Sequence, residues 1–158
     1  MNKVDLINLY KKESNNVFNS ISSEQIAKFV DMVFDVYENE GTIFAAGNGG
    51  NEHIFSEQLK YQGEENDMFF GMSGSGNSAN VLEAMKVAKE KGMKTILVTR
   101  NKENKCNQYA DLTISLEGTS EFPGQTGGNN NNFHFEDILS KITHIAVGLL
   151  KEKVHNEN

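Results

Sequence analysis

The sequence has little of what marks a disulfide-stabilised, nucleic-acid-binding or membrane-spanning protein. Its 158 residues include one cysteine, Cys106, so no disulfide can form within the chain. Acidic residues outnumber basic ones, and the net charge of −7 argues against nucleic acid as the main partner. No apolar run is long enough to cross a bilayer, and the N-terminus has no signal-peptide pattern. We therefore expect a cytoplasmic protein that does not contact membranes.

Proline is also scarce, and the rest of the chain alternates helical and extended patterns. The only proline, Pro123, falls in a polar segment that also holds four consecutive asparagines and is predicted to be a long loop. Strands that alternate with helices predict an α/β fold, in which a doubly wound parallel sheet is the middle of three layers. The predicted organisation is a single domain over residues 1–158, with N-terminal helices over 1–40, a parallel sheet core with phosphate loops over 41–116, a loop over 117–132 and a C-terminal helix over 133–153.

A serine- and glycine-rich stretch lies between a predicted strand and a predicted helix. It follows the apolar run Met68–Phe70 and leads into a helix that begins near Ser78. A helix N-terminus has unpaired N–H groups and the positive end of the helix dipole, so it favours an anion. Glycines let the backbone approach a ligand, and serine hydroxyls add hydrogen-bond donors. The stretch therefore predicts a phosphate-binding loop, with the candidate residues Ser73, Gly74, Ser75 and Ser78.

A second glycine-rich turn, Gly47-Asn48-Gly49-Gly50, follows the predicted strand over 42–46. By itself this turn is weak evidence, because many tight turns need glycine for steric reasons alone. Open α/β sheets, however, bind ligands outside the carboxyl ends of their strands, where both turns are expected. The two turns together favour a ligand that carries a phosphate group.

The closing helix carries Glu136 and, eight residues later, His144. A carboxylate and an imidazole on roughly the same side of a helix could provide acid–base chemistry or hold a divalent metal. A histidine among apolar helix residues also fits a core or interface position. The spacing alone leaves both interpretations open.

Three stretches of the sequence resemble one family. Gly47–Gly50, Gly71–Val81 and Ala88–Lys94 are similar to the sugar isomerase (SIS) domain family, and within it to the phosphoheptose isomerases. The closing helix, with its Glu136 and His144, is similar as well. The resemblance implies a flavodoxin-like parallel sheet flanked by helices, and a homotetramer with active sites between subunits.

The resemblance also implies a reaction and a set of site residues. The reaction is the ketose–aldose isomerisation of sedoheptulose 7-phosphate to D-glycero-D-manno-heptose 7-phosphate through an enediol, which needs both a base and an acid. His144 and Glu136 are implied as the catalytic pair and, where the enzyme binds metal, as ligands of one zinc ion per site. The implied substrate-binding residues are Asn48, Gly49, Gly50, Ser73, Gly74, Ser75, Ser78 and Glu136.

The sequence departs from the family in two places. The family usually has glutamine where this chain has Glu136. A strand–helix unit of roughly forty residues is also absent between Gly50 and Asn51, about the size of one crossover unit. In the family that segment carries a catalytic glutamate and a histidine metal ligand, and neither can be assigned to a residue here.

Two explanations of the absent segment are open. Either the protein as the cell makes it contains a further segment at this point, or the chain is shortened. We favour the first, because losing a strand–helix unit would expose apolar surface along its neighbours. A shortened chain would be a non-catalytic SIS module, either a phosphosugar sensor or a relative of the replication-initiator-associating proteins. A different SIS isomerase, acting on an arabinose or hexose phosphate, fits the sequence around His144 less well.

Overall fold

The computed structural model describes residues 1–47, 51–125 and 132–157. After two N-terminal helices, strands and helices alternate along these ranges. No helix within them is both long enough and apolar enough to cross a membrane. A short 3₁₀ helix, Cys106–Tyr109, lies between the last two strands. The helices are α1 (Lys3–Asn19), α2 (Ser23–Glu38), α3 (Ile54–Gln62), α4 (Ala79–Glu90) and α5 (Phe133–Asn156), and the strands are β1 (Ile43–Ala46), β2 (Met68–Met72), β3 (Lys94–Thr99) and β4 (Leu112–Ser115).

The four described strands form one parallel sheet in the order β1-β2-β3-β4. Successive side chains of a strand point to opposite faces. Met68 and Phe70 accordingly pack among residues of α1, α2 and α5, whereas Phe69, between them, packs among residues of α3 and α4. Both faces of the sheet are therefore covered by helices. The predicted three-layer α/β fold with a parallel sheet is confirmed.

Helix α2 begins with a capping box. The Gln25 N–H donates to Ser22 Oγ at 3.1 Å, and the Ser22 N–H donates to Gln25 Oε1 at 3.3 Å. Two N–H groups that the first helical turn leaves unpaired are satisfied in this way. The cap fixes the start of the helix whose buried residues Phe29, Val30 and Val33 cover one face of the sheet.

The free edge of β1 exposes apolar surface. Among the described residues, β1 pairs only with β2, and its other edge is open. The Ile43 side chain is 43% exposed. Beside this edge lies a cavity of about 280 Å³, lined by apolar residues that include Phe29, Phe70 and Val147. Such exposure is what the absence of a strand–helix unit next to β1 leads us to expect.

The carboxyl ends of the central strands meet at one edge of the sheet, where two backbone hydrogen bonds join them. The Ser73 N–H donates to the Val98 carbonyl oxygen at 3.0 Å, and the Arg100 N–H donates to the Gly74 carbonyl oxygen at 3.1 Å. The loop after β2 is therefore held against the end of β3, and its position follows from the sheet register.

The Asp111 side chain connects β3 to the start of β4 through hydrogen bonds. We expect these bonds to make the stability of the fold depend on pH. Burial opposes ionisation of the Asp111 carboxylate, but Lys89 Nζ and the Thr95 N–H and Oγ1–H donate hydrogen bonds to it, and its pKa is lowered from 3.8. A group with a lowered pKa stabilises the fold above its unfolded value and loses that contribution as the pH falls through its folded value. We expect the melting temperature of Asp111→Asn to fall less steeply than wild type on acidification below about pH 4.

The matched control for Asp111→Asn is Asp31→Asn, which changes an exposed carboxylate on α2. Its melting temperature should follow the wild-type pH profile. Parallel profiles for wild type and Asp111→Asn would show that the hydrogen bonds to Asp111 do not contribute to the acid dependence of stability.

Candidate active site

The serine-rich loop forms a tight turn between β2 and α4. The Gly76 N–H donates to Ser73 Oγ at 3.0 Å and to the Ser73 carbonyl oxygen at 3.1 Å. The Ser73 and Ser78 hydroxyls lie 2.9 Å apart and share one hydrogen bond. The Asn77 N–H donates to Ser75 Oγ at 3.1 Å. Hydroxyls and N–H groups from five of the six positions 73–78 thus lie close together at the N-terminus of α4.

The three loop serines differ in exposure. Ser73 is fully buried, and its hydroxyl is occupied by Gly76 and Ser78. Ser75 is exposed and Ser78 partly so. Ser73 therefore shapes the loop, whereas Ser75 and Ser78 offer hydroxyls at the surface. Direct contact of each serine with a phosphate stays a prediction.

A segment that sequence reasoning missed supports the loop from the side. The Lys105 N–H donates to Asn77 Oδ1 at 2.9 Å, and the Cys106 N–H donates to the Gly76 carbonyl oxygen at 3.1 Å. The segment is itself fixed by Asn104, whose Nδ2 donates to the Asn101 carbonyl oxygen at 2.6 Å. Its polar, asparagine-rich composition is typical of turns, and that composition alone does not reveal which loop it contacts.

Arg100 and Asn132 lie against Gly74, and both were missed as well. A Cβ atom added to Gly74 would lie 2.9 Å from Asn132 Oδ1 and 3.1 Å from Arg100 Nε. Glycine at this position therefore leaves room for a guanidinium and an amide directly above the loop backbone. Asn132 immediately precedes α5, so it brings the start of that helix to the loop.

A cavity of about 240 Å³ adjoins this contact and contains one of the predicted catalytic residues. It is lined by the ends of β1 and β2 and by the first turns of α5, with the residues Gly47, Met72, Asn132, Phe135, Glu136 and Leu139. Asn132 lines the cavity and also lies beside Gly74. The cavity therefore adjoins the serine-rich loop. The structure thus brings Glu136 to the same sheet edge as the predicted phosphate loop.

His144 is placed differently. Eight residues along a helix correspond to about 12 Å of rise, so His144 lies more than two turns beyond Glu136. Its side chain is exposed, and His144 is not among the described residues that line the cavity. Within one protomer the structure does not bring the predicted catalytic pair together.

The described residues of one protomer do not fit a zinc site. A zinc site uses three or four protein ligands within about 2.3 Å of the metal. No group of three or more histidine, cysteine, aspartate or glutamate side chains suited to a metal occurs in residues 1–47, 51–125 and 132–157. Glu136 and His144, the two predicted ligands, are separated along α5. Asn48, Gly49 and Gly50, predicted to line the substrate, lie outside the described residues.

Cys106 is unsuited to nucleophilic chemistry. Its side chain is fully buried among residues of α4 and its neighbours. Burial raises the pKa of the Cys106 thiol to about 11, so the thiol stays protonated near neutral pH. The chemistry of the site must therefore come from other residues.

Comparison with known proteins gives matches in sequence. The family model described as "SIS domain" matches residues 52–100. A phosphoheptose isomerase from Enterobacter sp. (strain 638) is 34% identical over 119 residues, which are 71% of this chain and 54% of that protein. The chain thus spans about half the length of that relative. A phosphoheptose isomerase from Vibrio parahaemolyticus is 24% identical over 199 residues, covering 95% of this chain and 98% of that protein.

The Vibrio alignment also bears on the absent segment. It extends over 199 positions, whereas this chain has 158 residues. The Vibrio protein therefore contains residues within the aligned span that this chain lacks. This agrees with the predicted absence of a strand–helix unit.

The fold has a match among solved structures as well. The structure of a phosphoheptose isomerase from Neisseria gonorrhoeae superimposes with a TM-score of 0.77, covering 96% of this chain and 100% of that one at 21% identity. At this identity the likeness shows the fold alone. Together with the sequence matches it confirms the predicted resemblance: the chain is similar to the SIS domain family over residues 52–100, and to curated relatives that carry the name phosphoheptose isomerase.

Proposed function

We propose that this protein is a ketose–aldose isomerase that converts sedoheptulose 7-phosphate to D-glycero-D-manno-heptose 7-phosphate. The observation that carries the proposal is the direct contact between the serine-rich loop and the Glu136 cavity, made through Gly74 and Asn132. A phosphorylated sugar could bind its phosphate at the loop and extend its carbon chain into the cavity.

The hydrogen-bond pattern of the loop suits a phosphate. Phosphate oxygens accept hydrogen bonds, so a bound phosphate would accept a hydrogen bond from the Ser78 hydroxyl. Ser73 would then donate to Ser78 Oγ across the 2.9 Å that separates the two oxygens, while it keeps the bond from the Gly76 N–H. The buried serine thereby orients the partly exposed one toward the ligand.

The proton transfer needs a base on one side of the carbon pair and an acid on the other. Glu136 supplies a carboxylate in the cavity, and the exposed His144 would act from a neighbouring protomer. A homotetramer with active sites between subunits accounts for both placements. Exposed apolar residues at the β1 edge and on α5, Ile43, Val147 and Leu149, are available to such an assembly.

The experiment that tests the proposal is turnover of sedoheptulose 7-phosphate by the purified protein, with and without added zinc, followed by chromatography of the aldose product. The proposed proton transfer by Glu136 and His144 uses no metal ion. The reaction is therefore measured both with and without zinc. An intact-mass measurement and the oligomeric state are determined on the same preparation. A tetrameric preparation of this chain that produces no aldose under either condition would overturn the proposal.

The second candidate function is a non-catalytic phosphosugar-binding module. The observation that favours it is the open, apolar edge of β1, beside which the resemblance implies an absent segment with catalytic residues. Calorimetry separates the two functions. Binding of the phosphosugar without turnover supports a sensor, whereas no binding at all favours a protein-interaction role.

A further inference from the structure

Arg100 is the only arginine in a chain that otherwise uses lysine for its 14 remaining basic side chains. It follows β3 directly, at the sheet edge where the serine-rich loop lies. We propose that the Arg100 guanidinium is a second phosphate-binding group, which holds the anionic end of the substrate against the loop. This inference rests on the proposed function, because it names a specificity residue of the same site.

The position of Arg100 is fixed by backbone contacts. Its N–H donates to the Gly74 carbonyl oxygen at 3.1 Å, and the neighbouring Thr99 Oγ1 donates to the same oxygen at 3.3 Å. Its side chain then crosses the loop, since a Cβ on Gly74 would meet Nε at 3.1 Å and Nη2 at 3.4 Å. Two nitrogens of the guanidinium therefore lie next to the residue between Ser73 and Ser75.

Arginine is suited to this position for a chemical reason. Its planar guanidinium can donate two parallel hydrogen bonds to one phosphate, a geometry that lysine cannot reproduce. The protein as a whole carries a net charge of −7, and Glu136 lines the adjacent cavity. A local cation beside the loop would offset this unfavourable field for a dianionic ligand.

The test compares Arg100→Gln and Arg100→Lys with wild type, on sedoheptulose 7-phosphate and on the unphosphorylated sugar sedoheptulose. We expect Arg100→Gln to raise KM for the phosphorylated sugar by about tenfold or more, with kcat changed less than threefold, since losing a hydrogen bond to a charged group costs roughly 1.5–3 kcal/mol. The rate with the unphosphorylated sugar should not change. Arg100→Lys should recover part of the loss. A merely structural role would lower the rates with both sugars.

Binding of inorganic phosphate, measured by calorimetry on the same variants, makes the inference independent of turnover. Arg100→Gln should raise the Kd for inorganic phosphate in proportion to the rise in KM. The matched control is Lys102→Gln, which removes a nearby exposed cation paired with Glu117 and should leave phosphate binding unchanged.

The outcomes separate the two proposals. Wild type that binds phosphate but turns over no sugar would overturn the proposed function, while the binding data alone still decide the role of Arg100. Folded Arg100→Gln that binds phosphate as tightly as wild type would overturn this inference and leave the isomerase proposal standing.

Discussion

Replacing His144 by glutamine is expected to lower kcat for sedoheptulose 7-phosphate by about 10²–10⁴-fold, the usual contribution of a general acid or base. Binding of the phosphosugar should change little, because the serine-rich loop lies on a different element and keeps its internal hydrogen bonds. Glutamine retains hydrogen-bonding groups but cannot exchange a proton near neutral pH. Steady-state kinetics and calorimetry on the same preparation check both parts of the expectation.

The matched control is His155→Gln. His155 is another exposed histidine on α5, close to the end of the helix, and no role is assigned to it. It should retain wild-type kcat. If His144→Gln retained kcat within a few-fold of wild type, the imidazole would not be an acid or base of the reaction, and the exposed position of His144 would need another explanation.

A mixing experiment tests the proposed sharing of sites between subunits. A His144→Gln protomer still has an intact loop, and a protomer with a damaged loop still has His144. Mixed oligomers of the two should regain part of the wild-type activity, because some sites then combine an intact loop with an intact histidine. Absence of any recovery in oligomers shown to be mixed would contradict a site built from two protomers.

The course of the chain was predictable from local patterns. The capping box at Ser22 marks the start of α2, and the apolar run at Met68 marks β2, because both depend on residues close in sequence. The 3₁₀ helix Cys106–Tyr109 was missed, since its polar residues carry no periodic pattern. Its start is fixed by a bond to the distant Gly76.

The site was predictable only in part. The loop after β2 follows from its composition, and Glu136 follows from the resemblance of α5 to the family. Arg100 and Asn132 could not be identified, because their role depends on how close they lie to Gly74 in space. His144 shows the converse limit: a resemblance names the residue, but the structure of this chain does not place it at the cavity that Glu136 lines.

We expect the replacement of Gly76 by alanine, which adds a single methyl group, to weaken both the fold and phosphosugar binding. Its φ of +66° lies in the left-handed region, and a Cβ would lie 2.3 Å from Asn104 Cγ. Asn104 cannot easily withdraw, because its side chain bonds Asn101 and Asn107. Gly76→Ala should therefore lower the free energy of unfolding by roughly 1–3 kcal/mol and raise the Kd for the phosphosugar by more than tenfold, as calorimetry and chemical denaturation would show.

Two further variants separate the causes of that loss. Gly148→Ala is the matched control: nothing lies within 4 Å of the added Cβ, and alanine within a helix should stabilise α5 by about 1 kcal/mol. Adding Asn104→Gly to Gly76→Ala removes the clashing atoms but not the backbone strain, and it also removes the Asn104 hydrogen bonds that fix the supporting segment. The double variant should therefore recover only part of the stability and binding. Wild-type binding by Gly76→Ala itself would mean that the tight turn at Gly76 is not required to hold the phosphate, and the loop would then be a connection between β2 and α4 rather than a binding site.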